Sequence, residues 1–260
     1  LLADRSPQVW LDRMAKVNPR YSVGYARIAH LLDINRRYED AIAYYRKAIE
    51  MDPANDAARS KLGIELMRLG QEAEARQLLE AAYENGWKDN PTTNTLRLMD
   101  SYKNFVTIEG PKSIVRLHKK EAELLKLYVP AELERAIATY EKKYKITLPA
   151  KVQVEVYPDH EDFAVRTLGM PGLGALGVTF GNVVAMDSPS GRPPAQFHWA
   201  STMWHELSHV FVLGAYFALQ RGWLTLEQRV YHVMNFVGTG LLAWIAATES
   251  QVGLTLVEGA

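Results

Sequence analysis

The residues His205-Glu206-Leu207-Ser208-His209 carry the clearest chemistry in the chain. On a helix, two histidines four positions apart lie on one face, one turn apart, where both imidazoles can bind a single divalent ion. Glu206 then lies beside that ion's bound water, placed to take its proton. The flanks suit a buried helix: Trp199, Met203, Trp204, Leu207, Val210, Phe211, Val212 and Leu213 are apolar and no proline interrupts them. Burying His, Glu and His there without a metal would leave polar groups unpaired. The pattern therefore predicts a zinc site. His160 and His198 are not at ligand spacing and read as surface or loop residues. Tyr231 and His232 read as a capping tyrosine and a core histidine before they read as hydrogen-bond donors to a reacting group.

Composition narrows what the site can be. The chain has 260 residues, with 30 Lys and Arg against 30 Asp and Glu, so nothing points to nucleic acid or another polyanion. It has no cysteine, so zinc would have to be held by histidine and carboxylate. It begins at Leu1-Leu2 without a signal-peptide pattern and reads as a fragment or processed form. The compartment stays open between cytoplasm and periplasm or cell envelope.

The elements that must position the motif begin with a repeat. Aligning Ala41 with Ala75 gives a period of 34, the length of a tetratricopeptide (TPR) helix-turn-helix unit. Tyr25, Ile28, Ala29, Leu32, Tyr38, Ala41, Tyr45, Ala48 and Pro53 fill one unit; Leu62, Gly63, Leu66, Gly70, Ala75, Leu79 and Ala82 fill the next. The small residues let paired helices approach closely. Trp10, Met14 and Pro19 match the second helix of an earlier half unit, so the array is expected to extend upstream. Tyr25 and Arg59, on first helices, are expected to line a groove for an extended peptide or partner protein.

Residues 1–90 are thus read as TPR repeats, 91–147 as a helical connector and 148–260 as a second domain. Within the connector, 111–127 (Ile114, Leu117, Leu124, Leu125) and 131–144 (Leu133, Ile137, Tyr140) read as amphipathic helices. From Lys151 to Tyr157 the chain alternates as a strand does. A glycine-rich loop over 169–177 lacks the pattern of a phosphate loop. Val178-Thr179-Phe180 and Val183-Val184-Ala185-Met186, joined by Gly181-Asn182, predict a tight hairpin in a small antiparallel sheet. Residues 183–186 are the candidate strand for holding a substrate backbone by β-augmentation. Residues 230–247 are nearly continuously apolar but interrupted, a poor membrane span and a better buried helix; membrane association is possible and weakly supported.

The order of these motifs resembles bacterial TPR-containing proteins of the peptidase MA-like group, zinc metallopeptidases of the gluzincin type. The likeness runs through a strand like 152–157, Asp162-Phe163-Ala164-Val165-Arg166-Thr167, Leu176-Gly177-Val178-Thr179-Phe180-Gly181, Asp187-Ser188-Pro189 and the His205–His209 motif. It implies an α+β, mainly helical chain: TPR repeats followed by a zincin-like core. It implies zinc held by His205 and His209 with Glu206 as general base, and a third ligand from a glutamate on the next helix. Glu227, after Trp223-Leu224-Thr225, stands nearest that position, with Glu258 and Glu249 as rivals. The function implied is a zinc-dependent peptidase with a TPR arm that recruits protein or peptide. The alternative is a TPR scaffold or binding protein whose peptidase fold no longer catalyses.

Overall fold

The computed structural model describes residues 8–193 and 197–220, with side chains from Val9 to Pro193 and from Phe197 to Val212. These fall into two compact units. One holds the residues up to Tyr102 together with Ala164–Gly172; the other holds Lys103–Phe163 and the residues from Leu173 on.

The first unit is helical throughout. Helix α1 (Gln8–Val17) precedes two hairpins, α2 (Ser22–Ile34) with α3 (Tyr38–Met51) and α4 (Asp56–Arg68) with α5 (Glu72–Glu84), and α6 (Asn90–Ser101) follows. The starts of α2 and α4, and those of α3 and α5, are 34 residues apart, which is the period of the small residues. The physical reason is visible at Gly63. A Cβ there would come within 2.7 Å of the Leu79 side chain and 3.0 Å of the Ala75 carbonyl. Ala29, Ala41, Ala75 and Ala82 are fully buried on the same helix-to-helix seams, and Tyr45, Leu66 and Leu79 fill the space between. Asn55 caps α4 by accepting from the Ala58 amide, and Asp89 caps α6 through the Thr92 amide, with Pro91 in its first turn. In α1 the packing residue is Leu11; Trp10 is exposed.

The second unit is a five-stranded sheet covered on one face by two helices. Its strands are β1 (Phe105–Glu109), β2 (Ser113–His118), β3 (Val152–Tyr157), β4 (Gly177–Phe180) and β5 (Val183–Asp187), in the spatial order β1-β2-β3-β5-β4. The β1–β2 and β4–β5 pairs are antiparallel hairpins; β2–β3 and β3–β5 are parallel. The sheet is therefore mixed, not antiparallel. Parallel neighbours need crossovers: α7 (Ala122–Leu125) with α8 (Val129–Tyr144) lies between β2 and β3, and α9 (His160–Leu168) between β3 and β5. The expected helix over 111–127 is corrected as well. Ser113, Val115 and Leu117 alternate inward on β2, so its apolar residues have a period of two, and only 122–125 is helical. The hairpin at Gly181-Asn182 forms as expected, with Gly181 at φ 58, the first central position of a tight turn that favours glycine.

The core sits between the sheet and two helices, α8 and α10 (Trp199–Gln220). Val115, Leu117, Val152, Val154, Val156, Val184 and Met186 from the strands meet Leu133, Ile137, Tyr140, Met203, Leu207 and Phe211. Among the described residues, no helix is long and apolar enough to cross a membrane. The apolar stretch over 230–247 lies outside the described residues.

Candidate metal and hydrolytic site

Helix α10 presents its two faces to different chemistry because its apolar and polar residues segregate. Met203, Leu207, Val210 and Phe211 point into the core, and Tyr140 of α8 locks that face. The Tyr140 hydroxyl donates to the Trp204 carbonyl at 3.1 Å, and its ring lies 5.3 Å from those of Trp204 and Phe211. Trp204 Nε1 donates to Glu132 at 2.7 Å, fixing the helix to α8 a second time. The helix begins where His198 Nδ1 accepts from the Ser201 amide and hydroxyl, so His198 is an exposed capping residue and not a ligand of the pair.

On the other side, His205, Glu206 and His209 come together, each offering a ligand atom within 4.8 Å of the others. The two Nε2 atoms are 3.3 Å apart. A tetrahedral zinc with bonds of about 2.05 Å requires its nitrogen ligands to stand about 3.3 Å apart, so the pair is spaced as two such ligands are. The same distance also admits a hydrogen bond between a protonated and an unprotonated imidazole nitrogen. Burial lowers the His205 pKa, which favours the neutral, ligating form.

Glu206 is 94% buried, yet its carboxylate is not stranded. Thr179, at the centre of β4, places its hydroxyl 2.7 Å from Glu206 Oε2 and 3.0 Å from the Glu206 carbonyl. With one proton to give, it donates to one or the other. Gly177, two residues earlier, makes the approach possible: a Cβ there would stand 2.7 Å from Glu206 Cγ and 3.0 Å from Oε1. Glu206 Oε1 lies 3.9 Å from His205 Nε2, on the same side as the histidine pair.

The strand beside the helix is β4, at the end of the sheet. Residues 183–186, expected to be the substrate strand, are in β5, which pairs with β3 on one side and β4 on the other and has no open edge. The reason is the crossover through α9, which brings β5 against β3 and leaves its hairpin partner outside.

His160, expected as a surface or loop residue, is instead part of a polar clamp. Its Nδ1 lies 3.0 Å from the fully buried Asp187, and its Nε2 lies 2.6 Å from the Leu173 carbonyl of the glycine-rich loop. Arg192 Nε donates to the same carboxylate at 2.6 Å. This clamp ties the loop that leads into β4 to the end of β5. Thr179, Gly177 and the His160–Asp187–Arg192 clamp carried no motif; the only signal was a polar residue and a glycine inside a strand. Glu227, Glu249, Glu258, Tyr231 and His232 lie outside the described residues.

Comparison with known proteins bears on the repeats. A tetratricopeptide-repeat family model matches residues 34–86. The stretch over 34–86 is a TPR repeat region. A second family model, with no description attached to it, matches residues 207–260. The chain is similar to the small glutamine-rich tetratricopeptide repeat-containing protein 2 of Mycosarcoma maydis, at 33% identity over 48 residues. That stretch is 18% of this chain and 14% of the fungal protein. No solved structure matches.

Proposed function

We propose that the protein is a TPR binding module that captures a protein or peptide partner through its repeats. The observation that carries this is the helical-hairpin array at a period of 34, matched over 34–86 by the TPR model. Such units bury one face against their neighbours and leave the first helices of successive pairs as a continuous surface for a ligand. The surface lies on α2, α4 and α6. Tyr25 packs beside Tyr44 of α3 at 6.3 Å, and Arg59 is tied to Asp56 and the Pro53 carbonyl of its own turn, so neither reaches out freely. Peptides selected by phage display against the full chain test the reading. Their binding should protect α2, α4 and α6 from hydrogen–deuterium exchange; selected peptides that protect only β4 and α10 would overturn it.

The second reading is a zinc-dependent peptidase, favoured by the 3.3 Å separation of the histidine nitrogens and by the buried, oriented Glu206. His205 and His209 would hold zinc through Nε2, with Glu227 proposed as the third ligand. A bound zinc would acidify its water and polarise a scissile carbonyl. Glu206 would take the proton and return it to the leaving amine, while Thr179 holds the carboxylate in place. The edge of β4 would align the substrate backbone. Metal analysis should find about one zinc per chain in the wild type and in Glu206→Gln, and little in His205→Ala or His209→Ala. A wild-type chain that binds no zinc would leave the binding module, with a non-catalytic peptidase-like core, as the whole function.

A further inference from the structure

We infer that Ala164–Gly172 is an internal ligand of the TPR surface, and that the surface recognises a helix C-terminus closed by glycine. The inference rests on the reading of the repeats as a binding module and names what they bind. These nine residues group with the repeats, although the chain on both sides of them groups with the sheet. Among the bonds that hold them are three between described residues. Arg68 Nη2 donates to the Thr167 carbonyl at 3.1 Å, Asn94 Nδ2 donates to the Gly169 carbonyl at 3.2 Å, and Arg166 Nη2 donates to the Arg68 carbonyl at 3.2 Å.

The surface is built for this. Arg68 is itself held by Asp33 of α2 at 2.8 Å and Glu65 of α4 at 2.7 Å, so carboxylates from two successive first helices aim its guanidinium. Its target and that of Asn94 are main-chain carbonyls at the end of α9 and just beyond it. Gly169 closes that end in the left-handed conformation (φ 72), its amide donating to the Val165 carbonyl at 2.8 Å. A Cβ at Gly169 would be strained at this φ and would crowd Pro91 at the start of α6, at 3.0 Å from its Cβ. Arg166 and Thr167 are buried at 2% and 5% exposure.

Two of the three bonds read backbone, not side chains. Another peptide with the same ending, an arginine three residues before a helix-closing glycine, meets the same donors. The covalently tethered segment has an effective concentration of about a millimolar, so it outcompetes weak partners and yields to tight ones.

A fluorescein-labelled peptide of residues 160–172, titrated against the full chain by anisotropy, tests this. Arg166→Ala loosens the internal segment and leaves the surface intact; Gly169→Ala does so independently, through its strained φ and Pro91. Each loosened chain should bind the peptide at least tenfold more tightly than wild type, and adding Arg68→Ala should remove the gain. Equal binding by wild type and by whichever loosened chain folds, or a gain that survives Arg68→Ala, would overturn the inference. If phage-selected peptides bind the repeats while this peptide does not, the inference fails and the module reading stands. If neither binds, the module reading fails.

Discussion

The repeat seams and the surroundings of Glu206 are held by different kinds of interaction. In the repeats, the decisive contacts are apolar and spread over many positions: Gly63 against Leu79, and alanines on every seam. Around Glu206 they include polar ones: a threonine hydroxyl, a glycine without a Cβ, and a helix pinned through Tyr140 and Trp204. In dispersed packing a single truncation costs stability and leaves the other seam contacts in place. A site that depends on directed hydrogen bonds keeps its fold after a small change and loses its geometry.

The largest effect expected from this contrast is on the repeat side. Leu79→Ala, at a fully buried position, should cost about 2–5 kcal/mol of stability, read as a lower denaturant midpoint. On the peptidase reading, zinc affinity per folded chain should not change. Equal loss of both would mean the units do not separate as described.

On the site side, Thr179→Val removes one hydroxyl and keeps the shape. A hydrogen bond to a buried carboxylate is worth about 1.5–3 kcal/mol, so on the peptidase reading hydrolysis should fall roughly ten- to a hundredfold while zinc is retained. Thr179→Ser should recover most of the rate. A valine variant at the wild-type rate would show that Glu206 needs no such support.

A smaller effect sits inside the repeats, where the pattern of dispersed apolar packing is broken. Burial pushes the Glu65 pKa up to about 7, against the pull of Arg68, with Asp33 adding to the rise. The folded state therefore holds a proton that the unfolded chain releases near pH 4.5, and the stabilising effect of that proton is lost as pH rises from about 4.5 through 7. Glu65→Gln should be more stable relative to wild type at pH 8 than at pH 5, by roughly 1–3 kcal/mol. Thermal melts at the two pH values check it; a constant difference would mean Glu65 is ionised throughout.

The same contrast explains what the sequence disclosed. Ala29, Gly63, Ala41 and Ala75 recur because each pair of helices must touch at the same place, so the repeat was legible from residue size alone. The helix carrying His205, Glu206 and His209 was legible because its chemistry demands a local spacing. The sheet was not. Ile114 and Leu117 stand three apart, as on a helix, and the two-residue alternation of Ser113, Val115 and Leu117 shows only once β3 lies beside them. Parallel pairing and the outer place of β4 depend on crossovers between distant segments, which leave no local periodicity. Thr179 and Gly177 reach Glu206 only through that topology.

The most direct test of the module reading is hydrogen–deuterium exchange of the full chain with a phage-selected peptide bound at saturation. Protection should rise on α2, α4 and α6 and stay unchanged over β4 and α10. Protection confined to β4 and α10 would contradict the account, placing recognition at the histidine pair and making the repeats a folding support.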